Sequence, residues 1–194
     1  LVIVSIAGMS NIGKLRSLSE FLKYFPSITK FNVHWGEMDA FKHMNNVSYF
    51  RYHETSRRVY FSKMVKNLNE EHQQYGIDFL HATGIGPILC KSTISYKYPL
   101  EYPETILVGS KIIIPSLNDN DNEKLTNEIN LEHGVWGMNP KRLATTGTGT
   151  IIAFDYHLNQ RANAYPKCIL ESFEKLNNQD SLHMLKDLEK EFDI

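Results

Sequence analysis

Residues 34–50 read HWGEMDAFKHMNNVSYF. Glu37, Asp39, His34, His43 and the pair Asn45–Asn46 fall within thirteen residues, with Phe41 and Met44 between them. Just upstream, KFNVHWG (30–36) alternates apolar and polar residues, the period of a half-buried strand, and reads as a strand ending at Gly36. Just downstream a helical pattern runs from Asn45 or Asn46 to Asn67, roughly six turns. Val47, Phe50, Phe61, Val65 and Leu68 share one stripe of that helix, with Glu54 and Arg58 inside the stripe. Those two are i,i+4 partners in the favourable order, so an ion pair is the expected use of both.

The rest of the chain is strand-like. PILCKSTISYKY (87–98) alternates, with Ile88, Cys90, Ser92, Ile94 and Tyr96 on one face. TILVGSKIIIP (105–115), LTNEINLEHGVW (125–136) and LATTGTGTIIAFDYH (143–157) follow, with the polar stretch 116–124 as a hairpin tip. Gly147 and Gly149 mark a bulge or a close approach of another backbone. Residues 69–83 read as irregular, and 167–192 as one or two helices with Leu182, Leu185, Leu188 and Phe192 in a stripe that needs a partner surface. A strand, a long helix and four turn-linked strands make an α+β fold, because an antiparallel sheet must bury one face and the helix is the available cover. The organisation expected is an N-terminal arm (1–30), a single domain (31–166) and a C-terminal helical extension (167–194).

Composition narrows the function classes. The chain has 194 residues, 42% hydrophobic and 22% charged, with a net charge of -1. That balance excludes a broadly basic nucleic-acid-binding surface. Residues 1–63 nonetheless hold nine Lys/Arg against four Asp/Glu, a basic third that suits either an anionic ligand or a solvated face. Two cysteines, Cys90 and Cys168, make neither a zinc site nor a disulfide framework, and no metal or other cofactor is expected. The nine-residue run LVIVSIAGM is too short to span a bilayer, and the first nineteen residues carry two basic and no acidic side chains, which is weakly transit-like. A cytoplasmic or mitochondrial location is expected, with the sequence starting short of the natural N-terminus. Gly8, Gly13 and Lys14 fit the spacing of a phosphate-binding loop, but Leu15 stands where a magnesium-binding Ser or Thr is required, so this match is read as a decoy.

Two readings of Asp39 follow from physics. Asp and Asn commonly close turns and cap helices. The same pieces can also do chemistry. A helix N-terminus leaves backbone N–H groups unpaired, so amides near Asn46 and Val47 can hold a carbonyl oxygen. A carboxylate a few residues away can attack that carbonyl or activate water against it. Both readings stand at this point.

VHWGEMDAFKHMNNVSYFRYHETSRRVYF (33–61) resembles the strand–loop–helix signature of the hotdog-fold acyl-CoA thioesterases of the 4-hydroxybenzoyl-CoA thioesterase type, with their D-x-D-x-x-x-H-x-N-N-x-x-Y-like run. Asp39, His43, Asn45, Asn46 and Tyr49 fit, and Glu37 replaces the first acid. Residues 88–112 are similar to the family's second and third strands, and the likeness covers about 31–166. The resemblance implies a hotdog fold, a curved antiparallel sheet wrapped around a long central helix, and hydrolysis of acyl-CoA to a free acid and coenzyme A. It implies Asp39 as nucleophile or general base, the Asn46 N–H as the group that polarises the carbonyl, and His43 either ordering the loop or touching substrate. Asn45, Tyr49, Phe50 and Arg58 are implied to line the substrate, with Arg51, Arg57, Lys91 and Lys97 as further candidates for the coenzyme A phosphates. It also implies a homodimer or homotetramer with the active site between subunits; no nucleic-acid partner is expected, and no membrane association of the domain itself. A hotdog protein that binds an acyl ligand without turnover is the competing reading.

Overall fold

The computed structural model describes residues 11–114 and 126–192. In chain order it holds α1 (Leu18–Tyr24), β1 (Ser27–Asn32), α2 (Asn46–Val65), α3 (Gln73–His81), β2 (Ile85–Tyr96), β3 (Thr105–Ile113), β4 (Glu128–Met138), β5 (Lys141–Asp155), β6 (Gln160–Arg161), α4 (Lys167–Asn177) and α5 (Leu185–Phe192). The sheet runs β1–β3–β4–β5–β2, with β6 beside β5, and every pairing is antiparallel. The expected hairpin tip at 116–124 and Gly8 of the decoy lie outside the described residues. Lys14 ends a single 3-10 turn and α1 starts only at Leu18, so Gly13–Lys14 does not lead directly into a helix.

Alternation along the strands sorts the core into two faces. Val108 and Val135 pair in register, as do Leu107 and Trp136 one residue along. The valines join Tyr49 and Tyr52 of α2 on the inner face. Leu107 and Trp136 join Phe21 and Phe25 of the arm and Leu188 of α5 on the outer face. Burying each such side chain contributes roughly 1.5–3 kcal/mol. The outer cover fits because Gly109 and Gly134, opposed in β3 and β4, leave room for the rings; a Cβ on Gly109 would lie 2.3 Å from Phe25. The stripe read from Leu182 to Phe192 thus has its partner surface.

The inner face is apolar at both ends and polar in the middle. Tyr60, Phe61, Ile112, Leu131 and Phe173 form one buried cluster, and Val33, Tyr49, Val108 and Val135 another. Between them one rung crosses the sheet. Ser27, Ser110, His133, Gly147 and Ile94 are successive register partners on β1, β3, β4, β5 and β2. From α2, Ser56 donates to the Val108 carbonyl (3.0 Å) and its Oγ lies 2.8 Å from that of Ser110.

Several expectations are corrected. The strand before the loop ends at Asn32, and Gly36 sits in a 3-10 turn, Trp35–Glu37. The buried face of α2 is Ser48, Tyr49, Tyr52, His53, Ser56, Tyr60, Phe61 and Met64, whereas Val47 and Phe50 are 54% and 44% exposed. An apolar stripe is the wrong template here, because tyrosines bury their rings while their hydroxyls find partners. Glu54 and Arg58 form no ion pair among the described residues; Arg58 donates to the Leu80 carbonyl at 2.9 Å, and the Glu54 charge acts on Arg57. Residues 73–81 are helical despite Gly76, whose missing Cβ admits Val65 of α2 at 2.6 Å. In β2 the register shifts between Leu89 and Lys91, so Cys90 is an extra, bulged residue. Leu89, Ser92, Ile94 and Tyr96 then share a face, and Ile88 points the other way. Of the two readings of Gly147 and Gly149, close approach of another backbone holds: a Cβ would lie 3.2 Å from the Thr93 carbonyl oxygen and 3.0 Å from that of Lys91, respectively, and at Gly147 the His53 ring is nearer still, at 2.7 Å.

Candidate functional site

Between β1 and α2 the chain makes a tight excursion held by its own hydrogen bonds and by two to the β2–β3 connection. Val33 N–H donates to the Glu104 carbonyl (2.8 Å), ending the β1 pairing. Met38 and Met44 face each other as an isolated antiparallel bridge. Within that bridge Asp39 N–H donates to the His43 carbonyl (2.8 Å) and Lys42 N–H to the Asp39 carbonyl (3.1 Å), with Lys42 in the left-handed region at φ 66°. Met44 N–H is then fixed to the Leu100 carbonyl (2.7 Å) and Asn45 N–H to the Glu37 carbonyl (2.8 Å).

Asp39 closes this loop with one oxygen. Its Oδ1 accepts the N–H groups of Phe41 (2.8 Å) and His43 (3.2 Å). Its Oδ2 takes no hydrogen bond from the described residues. Asp39 lines an open hollow of about 680 Å³ with Trp35, Gly36, Met38, Lys42, Glu101 and Tyr102. Trp35, which lines it, and Phe41 beside Asp39 are 76% and 80% exposed. The turn-closing reading and the chemical reading of Asp39 are therefore compatible, one oxygen serving each.

Asn45 is the N-cap of α2. Its Oδ1 accepts Val47 N–H (3.0 Å) and its carbonyl accepts Ser48 N–H (2.9 Å). Of the two amides singled out from the sequence, Val47's is thus occupied, and the N–H of Asn46 alone has no partner among the described residues. Asn46 itself is exposed.

The other expected site residues divide. His43 is in the same loop, partly exposed, with Nε2 3.8 Å from Glu101 Oε1. Tyr49 is buried, edge-on to Tyr96 at 5.3 Å. Burial pushes its hydroxyl up to about 12, against the opposing effect of the Leu100 backbone. It is a core residue behind the loop. Phe50 lies on the outside of α2. Arg58 belongs to a second hollow, about 530 Å³, lined also by Glu54, Arg57, Leu80, Pro87 and Tyr156. Twelve residues of helix, about 18 Å, separate it from Asn46. Within one chain, therefore, Asp39, His43, Asn45 and Asn46 come together and Arg58 does not join them.

Three contributors were not legible as site residues. Glu101 and Tyr102 arrive from the β2–β3 connection, far away in sequence. Tyr52 lies two turns into α2, and its hydroxyl donates to Glu37 Oε2 at 2.5 Å. Trp35, which lines the hollow beside Asp39, was also not singled out, although it stands four residues before Asp39 in the same loop.

Known proteins share this fold. The model of the thioesterase-like superfamily matches residues 33–173. No curated protein matches the chain. Among solved structures, a thioesterase from Thermus thermophilus, complexed with coenzyme A and zinc, is 18% identical, with 80% of this chain and 97% of that one covered and a TM-score of 0.61. A DHNA-CoA thioesterase from Staphylococcus aureus is 19% identical, covering 82% and 94%, with a TM-score of 0.56. Slr0204, a 1,4-dihydroxy-2-naphthoyl-CoA thioesterase from Synechocystis, is 9% identical, covering 78% and 97%, with a TM-score of 0.58. At these identities the likeness is one of fold, and the sheet curled around α2 is the hotdog arrangement implied by the sequence. With the family model spanning most of its length, the chain belongs to the thioesterase-like superfamily.

Proposed function

We propose that the protein hydrolyses the thioester of an acyl-CoA to a free acid and coenzyme A, with Asp39 as nucleophile or general base. One observation carries this reading. Asp39 is held by two N–H bonds to Oδ1 while Oδ2 is left without a protein donor, in a loop that runs directly into a helix start whose Asn46 N–H is unpaired. A carbonyl oxygen accepting from that amide gains the partial positive charge of the helix end as it becomes an oxyanion. The Oδ2 lone pair then either attacks the carbonyl carbon, expelling the thiolate, or takes a proton from an attacking water. In both routes the carbonyl–sulfur bond breaks, water supplies the new oxygen, and the thiolate leaves with a proton. His43 would keep the loop in place from beside Glu101.

The open edge of β2 supports a dimer as the working unit. Among the described residues β2 pairs with β5 on one side only, and Leu89 and Tyr96 along it are exposed, so its free edge is available to pair with a second copy.

Thiol release from a panel of short, medium and long acyl-CoAs tests the function, with wild type and Asp39→Asn run together. The asparagine keeps an Oδ1 for the Phe41 and His43 N–H groups, so the loop survives while nucleophile and base are lost. A fall in kcat of about 100-fold or more is expected. Full activity in Asp39→Asn would remove that residue from the mechanism. Thermal stabilisation of the wild type by acyl-CoA without thiol release would establish a binding protein instead.

A further inference from the structure

Glu37 is tied to both the cap and the shaft of α2. Its carbonyl accepts Asn45 N–H at 2.8 Å, and its carboxylate Oε2 accepts both His34 N–H (2.7 Å) and Tyr52 O–H (2.5 Å). Tyr52 is buried, with its ring 4.7 Å from Phe31 at the end of β1. No cation pairs with Glu37 among the described residues, so these two donors are what hold its charge. Glu37–Tyr52 is also the only side-chain-to-side-chain hydrogen bond, among the described residues, between the 33–45 excursion and α2. Asp39 follows Glu37 by two residues, and Asn46 follows Asn45 by one.

We infer that Glu37 and Tyr52 are a positioning pair for the proposed thioesterase reaction: their hydrogen bond clamps the Asp39 loop to α2 and fixes the Asp39 carboxylate relative to the Asn46 amide. The inference rests on the function proposed above for Asp39. A charge-assisted O–H···O⁻ bond is short and directional, which suits it to hold two segments in one relative placement. The Glu37 carboxylate is engaged by His34 N–H and Tyr52 O–H, and the Tyr52 hydroxyl by Glu37, so both act through the loop.

The test compares Tyr52→Phe, Glu37→Ala, their combination and Glu37→Gln. Tyr52→Phe keeps the ring against Phe31 and deletes only the donor. Misplacing a reacting group by about 1 Å costs up to about 100-fold. We expect kcat to fall about 10- to 100-fold in Tyr52→Phe and in Glu37→Ala, with KM within about threefold of wild type. The double variant should be no slower than the slower single, because one bond is being removed twice. Glu37→Gln, which keeps an acceptor oxygen, should recover part of the rate lost in Glu37→Ala. Hydrogen exchange at the Phe41 and His43 amides, both bonded to Asp39 Oδ1, should quicken in Tyr52→Phe. Rates within twofold of wild type in both singles, or effects that multiply in the double, overturn the pair. If wild type releases no thiol from any acyl-CoA, the hydrolysis reading has failed, and the clamp is judged by exchange alone; unchanged protection of those two amides in Tyr52→Phe would then overturn it.

Discussion

The imidazole of His53 on α2 stacks on that of His133 on β4, with ring centroids 4.5 Å apart and planes 19° from parallel. Hydrogen bonding fixes the proton on one ring. Ser56 spends its proton on the Val108 carbonyl, so Ser110 must donate to Ser56, and His133 Nδ1, 2.9 Å from Ser110 Oγ, must be the donor in that contact. His133 Nε2 and both nitrogens of His53 have no partner in the structure. Two neutral rings are therefore set face to face in the middle of the core.

Burial, reinforced by the Arg57 charge, pushes His53 down from its ordinary 6.5 to about 3. Burial also pushes His133 well below 6.5, with His53 and Arg57 adding to it. The sign of the pH dependence follows. Above about pH 6.5 both rings are neutral whether folded or unfolded, and stability is at its full value. Below it the unfolded chain takes up protons that the folded one refuses, so stability falls as pH falls, by up to about 1.4 kcal/mol per pH unit for each ring. Urea midpoints taken between pH 8 and pH 4.5 should drop steeply below 6.5. The drop should be shallower in His53→Phe, and a variant with the wild-type slope would refute this account.

Gly147 faces the same stack. A Cβ there would lie 2.7 Å from His53 Cε1 and 3.2 Å from the Thr93 carbonyl oxygen, and neither a stacked ring nor a strand backbone can yield cheaply. Gly147→Ala should cost about 1–3 kcal/mol. Gly36→Ala, where nothing lies within 4 Å, should stay within about 0.5 kcal/mol. Chemical denaturation of the two variants side by side is the check.

The cap on α2 is separable from the chemistry. Asn45→Ala removes the acceptor for Val47 N–H and should lower stability by about 1 kcal/mol, while Asn45→Asp should keep the cap. Equal losses in both variants, measured by thermal melting, would show that the side chain acts otherwise.

On the outer face, burial and charge make opposite forecasts for neighbouring residues of α5. Leu188 is buried against the arm, so Leu188→Ala should cost about 2–5 kcal/mol. Glu191 pairs with Lys30 at 2.7 Å, but both side chains are over 40% exposed, so Glu191→Gln should cost less than about 1 kcal/mol. Denaturant midpoints decide, and a Leu188→Ala midpoint equal to wild type would mean that α5 adds nothing to the outer cover.

How far could the sequence be read? Features within a dozen residues were legible. The existence of β3 to β5, the cap at Asn45, the run of α2 and the stripe around Leu188 depend on local apolar patterning and turn chemistry. So does the placement of Asp39, because its partners Phe41 and His43 are two and four residues away. What failed to show was fixed by contacts across the chain. The buried face of α2 was misread, since Tyr49, Tyr52, His53 and Ser56 are buried by what other segments offer them: the Leu100 backbone of the β2–β3 connection, Glu37 of the loop, and His133 and Ser110 of the sheet. Residues 69–83 read as irregular, whereas 73–81 are helical with Val65 and Leu68 packed into the space that Gly76 leaves. Arg58 looked like Glu54's partner until Leu80 presented a carbonyl. The sequence by itself determined the long helix α2 with its cap, the strands that follow it and, through partners two and four residues away, the closing of the Asp39 loop. Only the tertiary structure decided which face of α2 is buried and what clamps the Asp39 loop to it. Tyr52 reaches Glu37, Ser56 reaches Ser110 and His53 reaches His133 only once helix, loop and sheet pack together, and no local pattern encodes those contacts.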